Sequence, residues 1–106
     1  MIYEIRDYQA TPETVDALHD RFRANTLPFF ERHGIEVLGF WIDAQDPSRI
    51  LYLTRFEDED TRKSAWDRFK DDPEWQRVKA DSERDGPLTV SQTTTVLEPT
   101  DYSLLT

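Results

Sequence analysis

The chain has 106 residues, enough for one domain with a modest core. It carries 22 Asp and Glu against 13 Lys and Arg, a formal net charge of −9, which argues against nucleic acid as a partner. With no cysteine and only two histidines, His19 and His33, it excludes a disulfide framework, a thiolate metal site and a histidine-rich zinc motif. No stretch approaches the ~20 apolar residues of a membrane span. The first residues enter a strand pattern with no basic and apolar leader, so a cytoplasmic protein is expected.

Residues 2–9 read as the first strand. Side chains alternate with period two, so Glu4, Arg6 and Tyr8 share a face with Ile2, and Tyr3, Ile5 and Asp7 share the other. A carboxylate and a guanidinium on a covered face are costly unless they pair or line a wet cavity. Thr11-Pro12 then has the pattern of a helix start, Thr as cap and Pro at the first helical position. Val15, Leu18, His19, Phe22, Thr26, Phe29, Phe30 and His33 follow the spacing of one helical face. Pro28 interrupts that run and must kink or restart the helix, with Thr26 able to cap the second piece. Gly34 fits the position just past the helix end.

Ile35 to Ile42 reads as strand two, apolar on both sides around Gly39-Phe40-Trp41. Turn chemistry over 43–48 links it to strand three, Arg49 to Phe56, as an antiparallel hairpin. Asp58 or Asp60 caps the next helix, with Ala65, Trp66 and Phe69 on its buried face. Asp71-Asp72-Pro73 breaks it, and Pro73 starts another helical stretch that contains Trp75 and Val78. Leu88 to Leu97 is strand four, stopped by Pro99. Residues 1–99 make the domain and 100–106 a tail.

The order β-α-β-β-α-β is the ferredoxin-like arrangement of an α+β protein, an antiparallel sheet with strands one and three in the middle. Two helices cover one sheet face. The apolar character of the other face predicts a homodimer formed sheet to sheet, burying well over ~1,200 Å².

Four segments carry a resemblance: Met1-Ile-Tyr-Glu-Ile-Arg-Asp-Tyr8, Leu27-Pro-Phe-Phe-Glu-Arg-His-Gly34, Gly39-Phe-Trp41 and Asp72-Pro-Glu-Trp75. In this order the chain, from residue 2 to about 98, resembles the NIPSNAP family. The resemblance implies a dimeric α+β barrel, in which two ferredoxin-like sheets close on each other. The wider superfamily of that fold includes cofactor-free monooxygenases, isomerases, cyclases and haem-binding proteins, a likeness of fold and not of site.

Glu4, Arg6 and Tyr8 form the leading constellation: a base, an anion holder and a hydrogen-bond donor in a pocket, or a buried ion pair inside the barrel. His33, at a helix C-terminus, is either an acid–base group or a partner of the helix dipole. His19 reads as structural. Trp41, Tyr52 and Trp66, with Trp75, line a cavity for a planar aromatic molecule or simply fill the core. Arg55 binds a carboxylate or makes a rim salt bridge. The three glycines are scattered, so there is no phosphate loop, and no Gly-x-Ser-x-Gly elbow occurs. No cofactor or metal is expected, with haem conceivable only through His19 or His33. The functional expectation is therefore a homodimer that binds a small, largely apolar or aromatic molecule. Its use is as a cofactor-independent monooxygenase or isomerase with Glu4 and His33 catalytic, or as a non-enzymatic carrier or protein-interaction module.

Overall fold

The structure, a computed structural model, describes residues 1–106. Four strands, β1 (Ile2–Gln9), β2 (Glu36–Asp43), β3 (Asp46–Phe56) and β4 (Ser91–Leu97), form one antiparallel sheet in the order β2-β3-β1-β4. The helices are α1 (Val15–Arg21), α2 (Leu27–Arg32), α3 (Glu59–Asp71) and α4 (Pro73–Ser82). The ferredoxin-like α+β reading therefore holds, with β1 and β3 central.

The alternation along β3 sets the two faces. Ser48, Ile50, Tyr52, Thr54 and Phe56 are buried under the helices, while the residues between them are only half-buried. The register pairs Glu4 with Thr54, Arg6 with Tyr52 and Tyr8 with Ile50, so Glu4, Arg6 and Tyr8 point to the helix side. The core on that side is aromatic. Phe30 lies 5.4 Å from Trp66, 5.1 Å from Phe69 and 5.9 Å from Tyr52, centroid to centroid. Such tilted and edge-on contacts suit the ring quadrupole.

The first helix departs from expectation at both ends. It begins at Val15, three residues beyond Pro12, because the Thr11 and Thr14 hydroxyls bond each other at 3.0 Å and Thr14 Oγ1 also donates to the Leu88 carbonyl at 2.9 Å. At Pro28 the helix restarts, after a change of winding. Phe22–Thr26 widens into a π-helical turn, and the Leu27 N–H reaches the Phe22 carbonyl five residues back. Pro28, which has no donor, falls in the first turn of α2, where none is needed. Thr26 has helical angles and does not cap; its buried hydroxyl donates to the Arg21 carbonyl at 3.2 Å.

The other helix signals behave as their chemistry requires. Asp58 caps α3 by accepting from the Thr61 N–H at 2.7 Å, and Asp72 caps α4 by accepting from the Glu74 N–H at 2.9 Å. Gly34 has φ 74°, a left-handed conformation that glycine adopts without steric cost. Strand β4 is shorter than expected. Leu88 turns inward as a buried core residue, and its carbonyl is taken by Thr14 rather than by β1. Strand β2 carries a bulge between Val37 and Gly39 and leaves Trp41 and Ile42 more than half exposed in the single chain.

Candidate functional site

Glu4 is the most deeply buried charge in the molecule, with no exposed surface. Its Oε1 accepts from Arg6 Nε at 2.9 Å and from Thr54 Oγ1 at 3.4 Å, and its Oε2 accepts from Arg62 Nη1 at 2.6 Å. Arg62 comes from α3 and also grips Glu59 through two bonds of 2.7 and 2.9 Å. The carboxylate is thus held by two guanidiniums, one from its own strand and one from the covering helix. Sequence reasoning paired Glu4 with Arg6 but missed Arg62. The signal was present: Arg62, Trp66 and Phe69 have the spacing of one helical face, so Arg62 had to meet whatever β1 presents there.

Arg6 leads from this cluster into a cleft between the sheet and the helices. Its guanidinium carbon sits 3.8 Å from the centroid of the Trp66 ring, a cation–π stack. Only its Nε is engaged by the protein; its two terminal amino groups make no hydrogen bond within the chain. The cleft holds about 130 Å³. Its aromatic walls are Phe22, Phe30, Trp66, Phe69 and Trp75, and Tyr8, Thr26 and Gln92 contribute hydrogen-bonding groups. Arg21, Lys70 and Lys79 complete the lining. The Tyr8 hydroxyl meets that of Tyr52 at 2.8 Å. Burial, with Tyr8 beside it, pushes the Tyr52 phenol well above its ordinary pKa, so it stays neutral and able to donate.

Arg21, on the last turn of α1, was not foreseen either. It follows Leu18 by three residues and so falls on the covered face. Its side chain is 7% exposed, its Nη1 donates to Ser82 Oγ at 3.0 Å, and the nearest carboxylate oxygen, on Glu83, is 3.8 Å away. Burial lowers its pKa in spite of Glu83.

The remaining expected residues are distributed as follows. Tyr52 is 1% exposed and belongs to the core behind Tyr8. Trp41 is on the exposed edge strand, its ring over Gly39, and is not brought to the cleft with Arg6, Tyr8 and Trp66. His33 does not line the cleft; its Nε2 lies 2.7 Å from Asp72 Oδ2 and donates, since a carboxylate only accepts. Asp72 also accepts from Arg32 at 3.1 Å. The hydrogen bond from His33, helped by the Glu74 N–H and Arg32, lowers the Asp72 pKa to about 2. His19 lines a separate cleft beside Phe40 and Trp41 at the β2 edge. Arg55 makes the rim salt bridge, to Glu36 at 2.5 Å. No three His, Asp or Glu side chains converge in a way that would hold a metal ion.

The NIPSNAP family model matches residues 3–104. Among solved structures, the chain is similar to the Agrobacterium tumefaciens protein Atu4242, with a TM-score of 0.85, 23% identity and full coverage of both chains. It is similar also to the NIPSNAP family protein Atu5224 of the same organism, at TM-score 0.86 and 20% identity, covering 99% of this chain and 98% of that one. An antibiotic biosynthesis monooxygenase shares the fold at TM-score 0.63 and 15% identity, with 94% of this chain and 99% of the other covered. At such identities the structural likeness shows fold alone. No curated protein matches the chain in sequence. No helix is long and apolar enough to cross a membrane.

Proposed function

We propose that this chain, which belongs to the NIPSNAP family, is a homodimer that binds a small, largely apolar or aromatic molecule in the cleft between its sheet and helices. The observation that carries the reading is Arg6. Its guanidinium is oriented by Glu4 and stacked on Trp66, while its terminal amino groups remain uncommitted beside Tyr8 in an aromatic-walled cleft. The test is thermal shift with uncharged single-ring probes, benzamide and phenol, since a ligand of the native state raises the melting temperature. The expected result is a concentration-dependent rise that Trp66→Ala removes; no rise at millimolar probe would overturn the reading.

The dimer is supported by the outer sheet face. Ile5, Leu51 and Leu53 sit half-buried at its centre, and Trp41 and Leu97 remain exposed around them. Ion pairs of Arg49 with Asp7 and Asp43, and of Arg55 with Glu36, lie at the two ends. A second copy packed sheet to sheet would cover the apolar centre and leave the ion pairs at the rim. Sedimentation at low micromolar concentration showing only a 12.6 kDa species would overturn this part. The proposal includes a cytoplasmic location, which cell fractionation tests.

Two uses of the cleft divide on Glu4. An enzyme of this design is a cofactor-independent monooxygenase or isomerase, the former being the activity for which the structurally similar antibiotic biosynthesis monooxygenase is named. Glu4 and His33 then serve as proton acceptors and Arg6 holds an enolate or phenolate oxygen. In a carrier or protein-interaction module, Glu4 only positions Arg6. The second use is favoured, because both Glu4 oxygens are already engaged and neither a carboxylate nor an imidazole lines the cleft. For any compound found to turn over, Glu4→Gln and His33→Gln tested separately decide the matter. Intact turnover in both supports the structural role, and loss in either assigns that residue to the chemistry.

A further inference from the structure

We infer that the cleft is selective for the carboxylate of a single-ring aromatic acid, an inference that rests on the binding role proposed above. Four of the twelve lining residues are cationic, Arg6, Arg21, Lys70 and Lys79, and none is acidic. This is the reverse of the whole chain, in which acids outnumber bases 22 to 13. The neighbouring carboxylates do not neutralise the set. Glu4 divides its charge between Arg6 and Arg62, and Glu83 stands 3.8 Å from both Arg21 and Lys79. Set against these two acids, the four lining cations leave an excess of positive charge facing a partly desolvated space, where Coulomb attraction is stronger than in bulk water.

Hydrogen bonding points the same way. The molecule has two buried side-chain donors without a partner, Arg21 Nε and Trp66 Nε1, and both belong to residues that line this cleft. Arg21 is more than nine-tenths buried, lacks a close carboxylate and lies 5.6 Å from the Trp75 ring. A planar guanidinium fork such as that of Arg6, with both terminal amino groups free, matches the two oxygens of a carboxylate. Size limits the remainder of the ligand. At about 130 Å³ the cleft is comparable with the ~150 Å³ cavity that accommodates benzene in another protein, so one ring fits between the aromatic walls and a fused polycycle does not.

The experiment compares sodium benzoate, its uncharged isostere benzamide, and inorganic phosphate, by calorimetric titration of the dimer in low-salt buffer. Benzoate is expected to bind at least about tenfold more tightly than benzamide, and more weakly as salt is added. Lys70→Gln with Lys79→Gln alters two exposed side chains, so the fold survives. This pair should lower benzoate affinity severalfold and benzamide affinity far less. Arg21→Gln should narrow the difference between the two probes if the variant folds; the lysine pair tests the same point if it does not. Equal affinity for benzoate and benzamide overturns the carboxylate selectivity while leaving the binding role intact. Phosphate bound as tightly as benzoate overturns the requirement for a ring. Binding of none of the three overturns the inference together with the reading beneath it.

Discussion

Replacing Arg6 and Arg62 one at a time and then together should reveal a coupling that neither variant shows alone. Arg6→Met removes one charge-assisted hydrogen bond to Glu4, worth about 1.5–3 kcal/mol, and the stack on Trp66, worth up to about 2 kcal/mol, offset in part by the packing of Met. A loss of about 3 kcal/mol follows. Arg62→Met removes the 2.6 Å bond to Glu4, at about 2 kcal/mol. In either single variant Glu4 keeps one guanidinium. In the double variant a carboxylate with no exposed surface keeps only Thr54, and an unpaired buried charge costs about 3 kcal/mol beyond the sum. The total, about 8 kcal/mol, approaches the whole stability of a domain of this size, so the double variant should be largely unfolded. Adding Glu4→Leu removes the stranded charge and should restore folding. The assay is urea denaturation at fixed protein concentration. With a slope of about 1.5 kcal/mol per molar, Arg6→Met moves the midpoint by about 2 M. Strict additivity of the two arginine variants, or a triple variant less stable than the double, would refute the picture of one carboxylate shared by two guanidiniums.

Three other outcomes are expected. Lowering the pH from the ordinary Asp value of 3.8 toward about 2 should progressively remove the stability that Asp72 contributes through its depressed pKa, and Asp72→Asn should be less stable above that window yet flatter across it in an acid titration followed by circular dichroism. Gly34→Ala should cost about 1 kcal/mol in chemical denaturation, because φ is 74° while nothing lies within 4 Å of the added Cβ; Gly34→Asn should recover part of it. Gly39→Ala would bring a Cβ to 2.7 Å from the Trp41 ring, so the ring must leave its place on the outer face; sedimentation should then show the proposed sheet-to-sheet dimer weakened, with the benzamide response proposed for the cleft unchanged.

The fold was legible where local chemistry and burial agree. Asp58 and Asp72 mark helix starts through side chains that serve their own next turns, and the alternation of β3 follows from one covered face. Thr11-Pro12 misled because Thr14 is recruited by the Leu88 carbonyl, a contact across 74 positions that no window of sequence contains. Pro28 announced the new helical piece but not the π turn that leads into it, since a proline marks where a donor is missing and not how the preceding turn is wound. Arg6, Tyr8 and Trp66 were readable as neighbours from strand face and helix face. Trp41 was not separable from them by composition; its pairing with Leu51 turns it to the outer face, while Phe40 beside it turns to the helices. Arg21 and Arg62 were hidden because charged residues on a helical stripe are ordinarily read as its border, whereas here each is drawn inward to a polar partner.

Asp72 joins three helices at one point: it ends α3, starts α4 and receives His33 and Arg32 from the end of α2. Helix α4 carries Trp75 and Lys79, one wall of the cleft. That wall therefore cannot swing outward as a free flap; it must first release the clasp at its own N-terminus. Amide hydrogen exchange gives this a clock. The Glu74 N–H, held by the Asp72 carboxylate, and the Gln76 N–H, held by the Asp72 carbonyl, should exchange in step with each opening of the wall. A ligand seated against Trp75 should slow both protons together, though it touches neither.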